Sequence, residues 1–576
     1  MVELLFITYN GESNQQKVPK LSSRHTHAAK QYYEQRDRRQ QATRQNRLRP
    51  LAPLQPHPTK HRLSAGGSGS TEDEESNPPG SSTCGRFQNA VASRHITSSP
   101  ASSLAASIMD PFDTMSSMPA SRDPLVQESL HFFVNNQLME FCTEGTELAV
   151  HIAKKEVYSR AVWHSGISQI CVYGGMLSRA YLTGVELSPK YHVLSLRYKQ
   201  GSIEHVREAV KGRTAEEVPE ETLAVMLRLA VHGSDMLPVD DRHRKAQQTY
   251  FHNAQNVDYY LRFQTGWDHL RAIFNIVDAK GGLPSLKVGV FVRALRVFDI
   301  FCGWRNLQAP HFPLTEPVST YIVQRQHTEG PQSQELLKTL GTGFCPSEGS
   351  GLPYDSPNQD LHKHAAIVTA DYAQVLRNQK RRPRDPKLRP DEVLLKFTRW
   401  MILHDILSIP DPGPAETLTD IELLQEANHQ ILLAYAFAVL VPIPPSQNTE
   451  LAEMLTERIL RVAAELIARS LDNSPLASAP PADLTLCVII WAGVCAQFAA
   501  CKDQVKNERL YESAAAYLRD FLHAQHSSVV RKTWKETSEV MRSYLWLDAI
   551  CEVKGQEFWV FALKGQEGAV HLASPS

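Results

Sequence analysis

The sequence predicts an all-α fold, organised as one large, irregular helical domain from about residue 110 to the C-terminus. Three observations support this prediction. Beyond residue 110, apolar residues recur three and four positions apart, the spacing that lines one face of a helix. Strand-type alternation is hard to find there, and no fixed period recurs, which argues against a solenoid of short repeats. At 576 residues the chain exceeds what one core usually fills, so flexible segments are expected beside this domain.

Residues 1–49 form a basic N-terminal segment and predict a partly helical arm. Residues 1–62 carry twelve Lys or Arg against four acidic residues, a balance of +8, whereas the whole chain has a net charge of −1. The arm is Gln-rich with few apolar anchors, so alone it is expected to be disordered or a marginal, solvated helix. Its candidate functional residues are the cations Arg24, Lys30, Arg36, Arg38, Arg39, Arg44 and Arg47.

Three interpretations of this arm remain open. It could be a nuclear import signal, because short runs rich in Lys and Arg are typical of such signals. It could neutralise nucleic-acid phosphates, in which case every cation in contact would steepen the salt dependence of binding. It could also be a solvated arm with no direct partner. Phosphate contacts alone would give no sequence specificity.

Residues 50–109 predict a disordered linker. The segment is rich in Ser, Gly and Pro, with a run of small residues at 64–70 and an acidic patch at 72–75. Such a composition cannot bury enough apolar surface to offset the conformational entropy of the chain.

The clearest single helix lies within residues 267–283. Its apolar residues follow helical spacing and would line one face: Leu270, Ile273, Phe274 and Val277. We expect Asp268 to cap the start of this helix, and Gly281 to supply the left-handed residue that commonly ends one. The segment is therefore predicted to pack against neighbouring helices.

Further helices are predicted along the chain. An apolar helix is expected to begin near Leu125, and another just after Pro219. The three-four spacing within 451–466 and 511–522 predicts two amphipathic helices.

The longest apolar runs predict buried core helices. They cover residues 431–443 and 487–500, and both are shorter than the ~20 residues that a bilayer-crossing helix needs. The first seven residues lack the basic start of a signal peptide. No membrane partner is therefore expected.

Two stretches rich in Pro, Gly or Ser, 342–358 and 410–415, predict loops. Between them, three prolines within 380–389 forbid a continuous helix and leave an extended, cation-rich strip. This strip is a second import candidate through Lys380, Arg381, Arg382 and Arg384. An ordinary solvated loop between helices is an equally good interpretation.

No group of residues predicts catalysis or a bound cofactor. His362 and His364 are two residues apart and point to roughly opposite sides of a helix, which is poor geometry for joint metal binding. Asp240 and Asp241 precede two arginines and a histidine, the wrong charge for a magnesium site. No phosphate-binding loop ending in Lys-Ser or Lys-Thr occurs. We therefore expect no catalytic residue, no cofactor and no metal, and a protein that is not an enzyme.

Three segments resemble the family of the fungal-specific transcription factor domain. The helix ending in Gly281-Gly282-Leu283 looks like the family's marker helix, and residues 110–114 resemble its entry motif. Residues 6–8, followed by the Arg-rich stretch 24–39, resemble the N-terminal signature of many filamentous-fungal members. The resemblance implies a helical regulatory domain at 110–576, a nuclear location, and control of genes transcribed by RNA polymerase II. It also implies DNA, the transcription machinery or another regulator as partners, and a candidate homodimer.

The sequence departs from this family in its cysteines. A binuclear zinc cluster needs six cysteines in a short segment so that their thiolates can converge on two metal ions. The nine cysteines here are scattered, and only Cys487, Cys495 and Cys501 come close together. Their odd number and free spacing suggest a reducing compartment. The expected function is a transcription regulator that lacks the zinc module, acting through its helical domain and through weak DNA contact by the arm.

The alternative is a helical regulator that binds a ligand or partner and makes no direct contact with DNA. In the resembled family some members bind a small apolar effector between helices. The aromatic-rich stretches 291–304 and 534–546 are candidates to line such a pocket, although aromatic residues at these spacings are also typical of plain core.

Overall fold

The computed structural model describes the following residues: 123–137, 147–183, 189–232, 257–260, 263, 266–314, 317–324, 331–344, 358–380, 392–442, 449–471, 482–499, 504–524 and 533–570. Within residues 123–564 the described chain is 84% helical and contains no strand. The predicted all-α class is confirmed. The arm and linker, residues 1–49 and 50–109, lie outside the described residues, and so does the 110–114 motif.

Eighteen α-helices occur in the described residues. The first are α1 (Pro124–Phe132), α2 (Glu147–Trp163), α3 (Ser165–Thr183), α4 (Pro189–Val210), α5 (Glu220–His232) and α6 (Val257–Tyr260). Next come α7 (Trp267–Ala279), α8 (Gly289–Asn306), α9 (Val318–Gln324), α10 (Pro331–Leu337), α11 (Gln359–Lys380) and α12 (Glu392–Leu407). The last are α13 (Asp420–Tyr435), α14 (Thr449–Leu471), α15 (Ala482–Ala499), α16 (Gln504–Ala524), α17 (Trp534–Ser543) and α18 (Asp548–Val570).

Short helical turns of other types extend or connect these helices. Two are π-helical, Phe133–Gln137 after α1 and Ala436–Leu440 after α13. Three are 3₁₀ turns, Leu283–Ser285, Thr342–Phe344 and Ala415–Thr417.

Helix α3 lies at the centre of the first part of the described chain. It packs against α1, α2, α4 and α5. Gly175 lets α1 approach closely, because a Cβ atom at this position would meet the backbone oxygen of Ser129 at 2.1 Å. The neighbouring Gly174 has ordinary room, with its nearest contact, Gln137 Oε1, 3.5 Å from the same virtual atom. The α1–α3 contact therefore depends on one glycine of the pair.

Helix α7 corresponds to the predicted segment, with one correction at its start. Its first residue is Trp267, and the preceding Gly266 makes no side-chain cap. Asp268 lies inside the first turn, so the expectation that it caps the helix is wrong. A carboxylate there acts through the helix dipole instead. The predicted end is confirmed, because Gly281 has a φ of 100°. The amide of Gly282 donates to the Val277 carbonyl at 2.9 Å.

Helix α15 is the central helix of the C-terminal part. It packs against α13, α14, α16, α17 and α18. Nearly every described residue from Leu484 to Ala496 is buried, so the helix is apolar around its whole circumference and needs neighbours on all sides. The other apolar run, in α13 and the π turn that follows it, is buried as well. Both predicted core helices are confirmed for the residues described.

The two predicted amphipathic helices are also confirmed. In α14 one face is buried, including Leu451, Leu455 and Ile459, and Met454 lies at its edge with 36% of its surface exposed. In α16 the buried face includes Ala514 and Leu518. None of the described helices combines the length and apolar character that spanning a membrane requires.

Candidate functional site

A cleft of about 610 Å³ lies among four helices in the described part of the chain. It opens between the start of α11, the end of α12 and the first half of α13, and the start of α9 closes one side. The irregular segment 410–414 follows α12, where the sequence predicted a loop, and contributes Pro410 and Pro412. The volume lies within the range typical of small-molecule pockets.

Four carboxylates line this cleft. They are Asp360 in the first turn of α11, Asp405 near the end of α12, and Glu422 and Glu426 one turn apart on α13. The lining contains no Lys or Arg among the residues described. Lys363 lies beside it, 3.7 Å from Asp360, with both side chains largely exposed. A concave wall of one charge sign concentrates the electric field, so the cleft favours cationic groups.

Glu422 is held by the start of its own helix. Thr419 caps α13, and its backbone amide and hydroxyl each donate to Glu422 Oε2 at 2.8 Å. These hydrogen bonds lower the pKa of Glu422, with the bond from the Thr419 amide as the main cause. The capping box therefore fixes an ionised carboxylate at the edge of the cleft.

Two buried histidines lie between the backbone and two of the other carboxylates, Asp405 and Glu426. His404 Nε2 donates to the Phe312 carbonyl at 3.0 Å, and its Nδ1 lies 3.3 Å from Asp405 Oδ1. His429 Nε2 donates to the Ile406 carbonyl at 3.1 Å, and its Nδ1 lies 3.4 Å from Glu426 Oε2. In both cases Nε2 must carry the hydrogen, because a carbonyl oxygen only accepts. The rings are thereby oriented towards the carboxylates.

His364, like His429, presents an imidazole to the cleft, and it does so from the second turn of α11. Burial lowers its pKa, while Asp360 and Asp405 act in the opposite direction. An uncharged imidazole can donate through one ring nitrogen and accept through the other. The cleft thus combines fixed negative charge with one neutral group of both hydrogen-bonding kinds.

Apolar side chains complete the lining. They are Pro317, Val318, Leu361, Ile409, Pro410 and Pro412. Carboxylates beside hydrocarbon suit a small organic cation, in which an ammonium or guanidinium group meets the acids and a hydrocarbon part meets the apolar wall.

None of the cleft carboxylates was nominated from the sequence. They lie between positions 360 and 426 on three helices, and each alone resembles an ordinary surface acid. The expected loop at 410–415 was the one local signal near this site. His362 and His364 do separate as predicted: His362 is buried against the Phe344 ring, with ring centroids 4.0 Å apart, whereas His364 faces the cleft.

The aromatic stretches nominated as pocket candidates pack elsewhere. In α8, the Trp304 ring lies 6.4 Å from that of Phe437, and both side chains are buried. Trp546 lies 5.1 Å from Trp491 of α15, centroid to centroid. Neither stretch contributes to the lining of the cleft. Their positions fit the core interpretation.

The basic candidates cannot be placed against this geometry. The arm residues Arg24 to Arg47 lie outside the described residues. Lys380 is the last residue of α11, and Arg381, Arg382 and Arg384 lie beyond the described part.

The chain matches no family model, no curated protein and no solved structure. Function must therefore be argued from these residues themselves.

Proposed function

We propose that this chain is a nuclear regulator of transcription by RNA polymerase II, in which a basic arm contacts nucleic acid or directs import and the helical body is the regulatory part. The observation that carries the proposal is the separation of charge: residues 1–62 have a balance of +8, which leaves −9 on the remaining 514 residues. Such an arm attracts phosphates, whereas an acidic body is repelled by them. The three family-like segments support the same function.

Binding to duplex DNA over a salt series tests this proposal. The logarithm of the binding constant should fall linearly with the logarithm of salt concentration, with a slope of about −0.9 for each phosphate contacted. Replacing Arg36, Arg38 and Arg39 by Ala should make the slope shallower by up to about three such contacts. The matched control removes three cations from the helical body, Arg197, Arg271 and Arg461. Binding that is absent, or that is insensitive to deletion of residues 1–49, would contradict direct contact by the arm.

Localisation of a fluorescent fusion tests the import function separately. The triple Ala variant of Arg36, Arg38 and Arg39 should remain outside the nucleus if the arm is the signal. A second variant, with Ala at the four cations from Lys380 to Arg384, tests the other candidate. Wild-type nuclear accumulation in the first variant would assign import to another segment.

The cleft favours a second candidate function, in which the helical body is a regulator that binds an effector without contacting DNA. Four carboxylates and an apolar wall specify a small organic cation as the effector class. The matched probes are 1,6-diaminohexane and the uncharged 1,6-hexanediol. By titration calorimetry we expect the diamine to bind and the diol not to bind.

Cleft variants locate this binding. Replacing Asp360 and Asp405 together by Asn should weaken diamine binding by roughly tenfold or more, because two attractive charges are lost. The control Asp268→Asn removes one acid at the start of α7 and should leave diamine binding unchanged. Equal affinity for diamine and diol, or no effect of the double variant, would refute the effector function without bearing on DNA binding.

A further inference from the structure

Helix α18 exposes an apolar stripe that its neighbours leave uncovered. Val553, Val560 and Phe561 are 66%, 42% and 41% exposed, and they are three of the eight large apolar side chains that stand out as exposed in the described residues. Scattered apolar residues on a surface are normal, but three on one helix form a patch. We call this patch, with Glu557 and Lys564, the α18 stripe.

The stripe is a single helical face. Residues 553, 557, 560 and 564 are separated by four, three and four positions, so they lie above one another along the helix. The opposite face is buried: Gly493 of α15 leaves just enough room for the Phe558 ring, because a Cβ on that glycine would meet the ring at 2.4 Å. The helix therefore cannot rotate to bury the stripe against its own chain.

The aromatic residue at the edge of the stripe is held in place. Phe561 lies against Tyr511 of α16, with ring centroids 4.6 Å apart. Arg519 of α16 donates to the Ala562 carbonyl at 3.4 Å. An exposed apolar side chain that is already ordered loses little entropy when a partner covers it.

The charges of the stripe identify its partner. Glu557 and Lys564 are seven residues apart, about two helical turns, and Val560 and Phe561 lie midway between them. In an antiparallel pair of α18 helices with the two-fold axis between positions 560 and 561, Glu557 of each copy faces Lys564 of the other. Val560 then faces Phe561. A parallel pair in register would place Glu557 against Glu557.

We propose that the α18 stripe is a homodimer interface that joins two copies of this chain through antiparallel α18 helices. A two-fold interface must be self-complementary, and the order acid, apolar, apolar, base satisfies this requirement in one direction only. The stripe from 553 to 564 covers about 17 Å of the helix and offers an interface at the small end of specific contacts. We therefore expect a dimer that exchanges readily, with a dissociation constant on the order of micromolar.

Sedimentation of the full chain at concentrations from about 1 to 100 µM, a range set by that affinity, tests the proposal. We expect a reversible monomer–dimer equilibrium in the wild type. Val560→Glu should leave a monomer, because it buries a charge in the middle of the stripe. The matched control Leu196→Glu changes an exposed apolar residue on α4 that is 50% exposed, and it should leave the equilibrium unchanged.

Charge reversal gives a test that does not depend on the apolar residues. Lys564→Glu should weaken the dimer by about tenfold, because two attractive pairs become repulsive. Adding Glu557→Lys restores both pairs in reversed polarity and should restore the wild-type dissociation constant. A monomeric wild type at all concentrations, a dimer that survives Val560→Glu, or a double variant no tighter than Lys564→Glu would each overturn the proposal.

Discussion

The glycine pair of α3 gives the sharpest test of how the first helices pack. Replacing Gly175 by Ala adds a methyl group 2.1 Å from the Ser129 oxygen, whereas carbon–oxygen contacts are normally about 3.3 Å or longer. The obstacle is backbone, which cannot move away by changing rotamer, so α1 must shift by about 1 Å. Overpacking of this kind costs about 1–3 kcal/mol, and Ala gains back about 1 kcal/mol in helix propensity. Because the clash is with backbone, the upper end of this overpacking cost applies, and we expect a net loss of about 2 kcal/mol in the free energy of unfolding.

The adjacent Gly174 supplies the matched control. Its virtual Cβ meets Gln137 Oε1 at 3.5 Å, an ordinary contact, so Gly174→Ala should stabilise the protein by up to about 1 kcal/mol through helix propensity alone. Urea unfolding followed by circular dichroism should therefore rank the midpoints with Gly174→Ala highest, the wild type between and Gly175→Ala lowest. At a slope of about 3 kcal/mol per molar urea, the two variants should differ by about 1 M. A midpoint raised equally by both substitutions would refute the close approach of α1.

Two further predictions concern polar groups that are buried or half-buried. Burial lowers the pKa of His362 to about 4, below the usual value of about 6.5, so between these pH values the unfolded chain binds the extra proton and stability falls on acidification. His362→Phe keeps the ring stacked on Phe344, removes that titration, and should make the fall of the thermal midpoint between pH 6.5 and 4 less steep, while buried His232, whose pKa burial lowers to about 3, continues to contribute; an unchanged pH profile would refute this assignment. Glu552 accepts from Trp534 Nε1 at 2.6 Å and Trp546 Nε1 at 3.3 Å. Glu552→Gln leaves one indole facing an amide donor and should cost about 1–3 kcal/mol in unfolding free energy, whereas Glu512→Gln at an exposed position of α16 should cost little; equal losses would contradict the bridge.

The helices could be predicted well from the sequence because the features that form and end a helix lie close together along the chain. The run around Cys487 is apolar on every side and could only be a buried helix, and the end of α7 at Gly281 follows from the freedom of glycine at positive φ. Asp268 shows where such reasoning fails. An acidic residue near a helix start is compatible both with the cap and with the first turn, and the choice depends on how the residue before α7 contacts α5: the Gly266 amide donates to the Ala230 carbonyl at 2.9 Å. That contact is tertiary, so the sequence does not encode it locally.

The cleft could not be predicted from local sequence patterns for the same reason. Its rigidity depends on a series of tertiary hydrogen bonds. Asp299 of α8 is buried and accepts from the amides of His311 and Phe312 at 2.9 and 2.8 Å. Burial raises the pKa of this carboxyl group, whereas the two amide donors act in the opposite direction and favour its charged form. The loop that carries His311 and Phe312 is also held by α7, because Phe274 stacks on the His311 ring with centroids 5.0 Å apart.

This loop in turn fixes a side chain next to the cleft wall. The carbonyl of Phe312 receives the hydrogen bond from His404, whose other ring nitrogen faces Asp405 in the cleft wall. His404 cannot turn away without leaving the Phe312 carbonyl unpaired, and an unpaired buried backbone carbonyl typically costs about 1–3 kcal/mol. Helix α7 therefore orders the segment whose Phe312 carbonyl holds His404 beside Asp405 of the cleft wall. A cleft whose charged groups are held in place before a ligand arrives loses less free energy when it binds one.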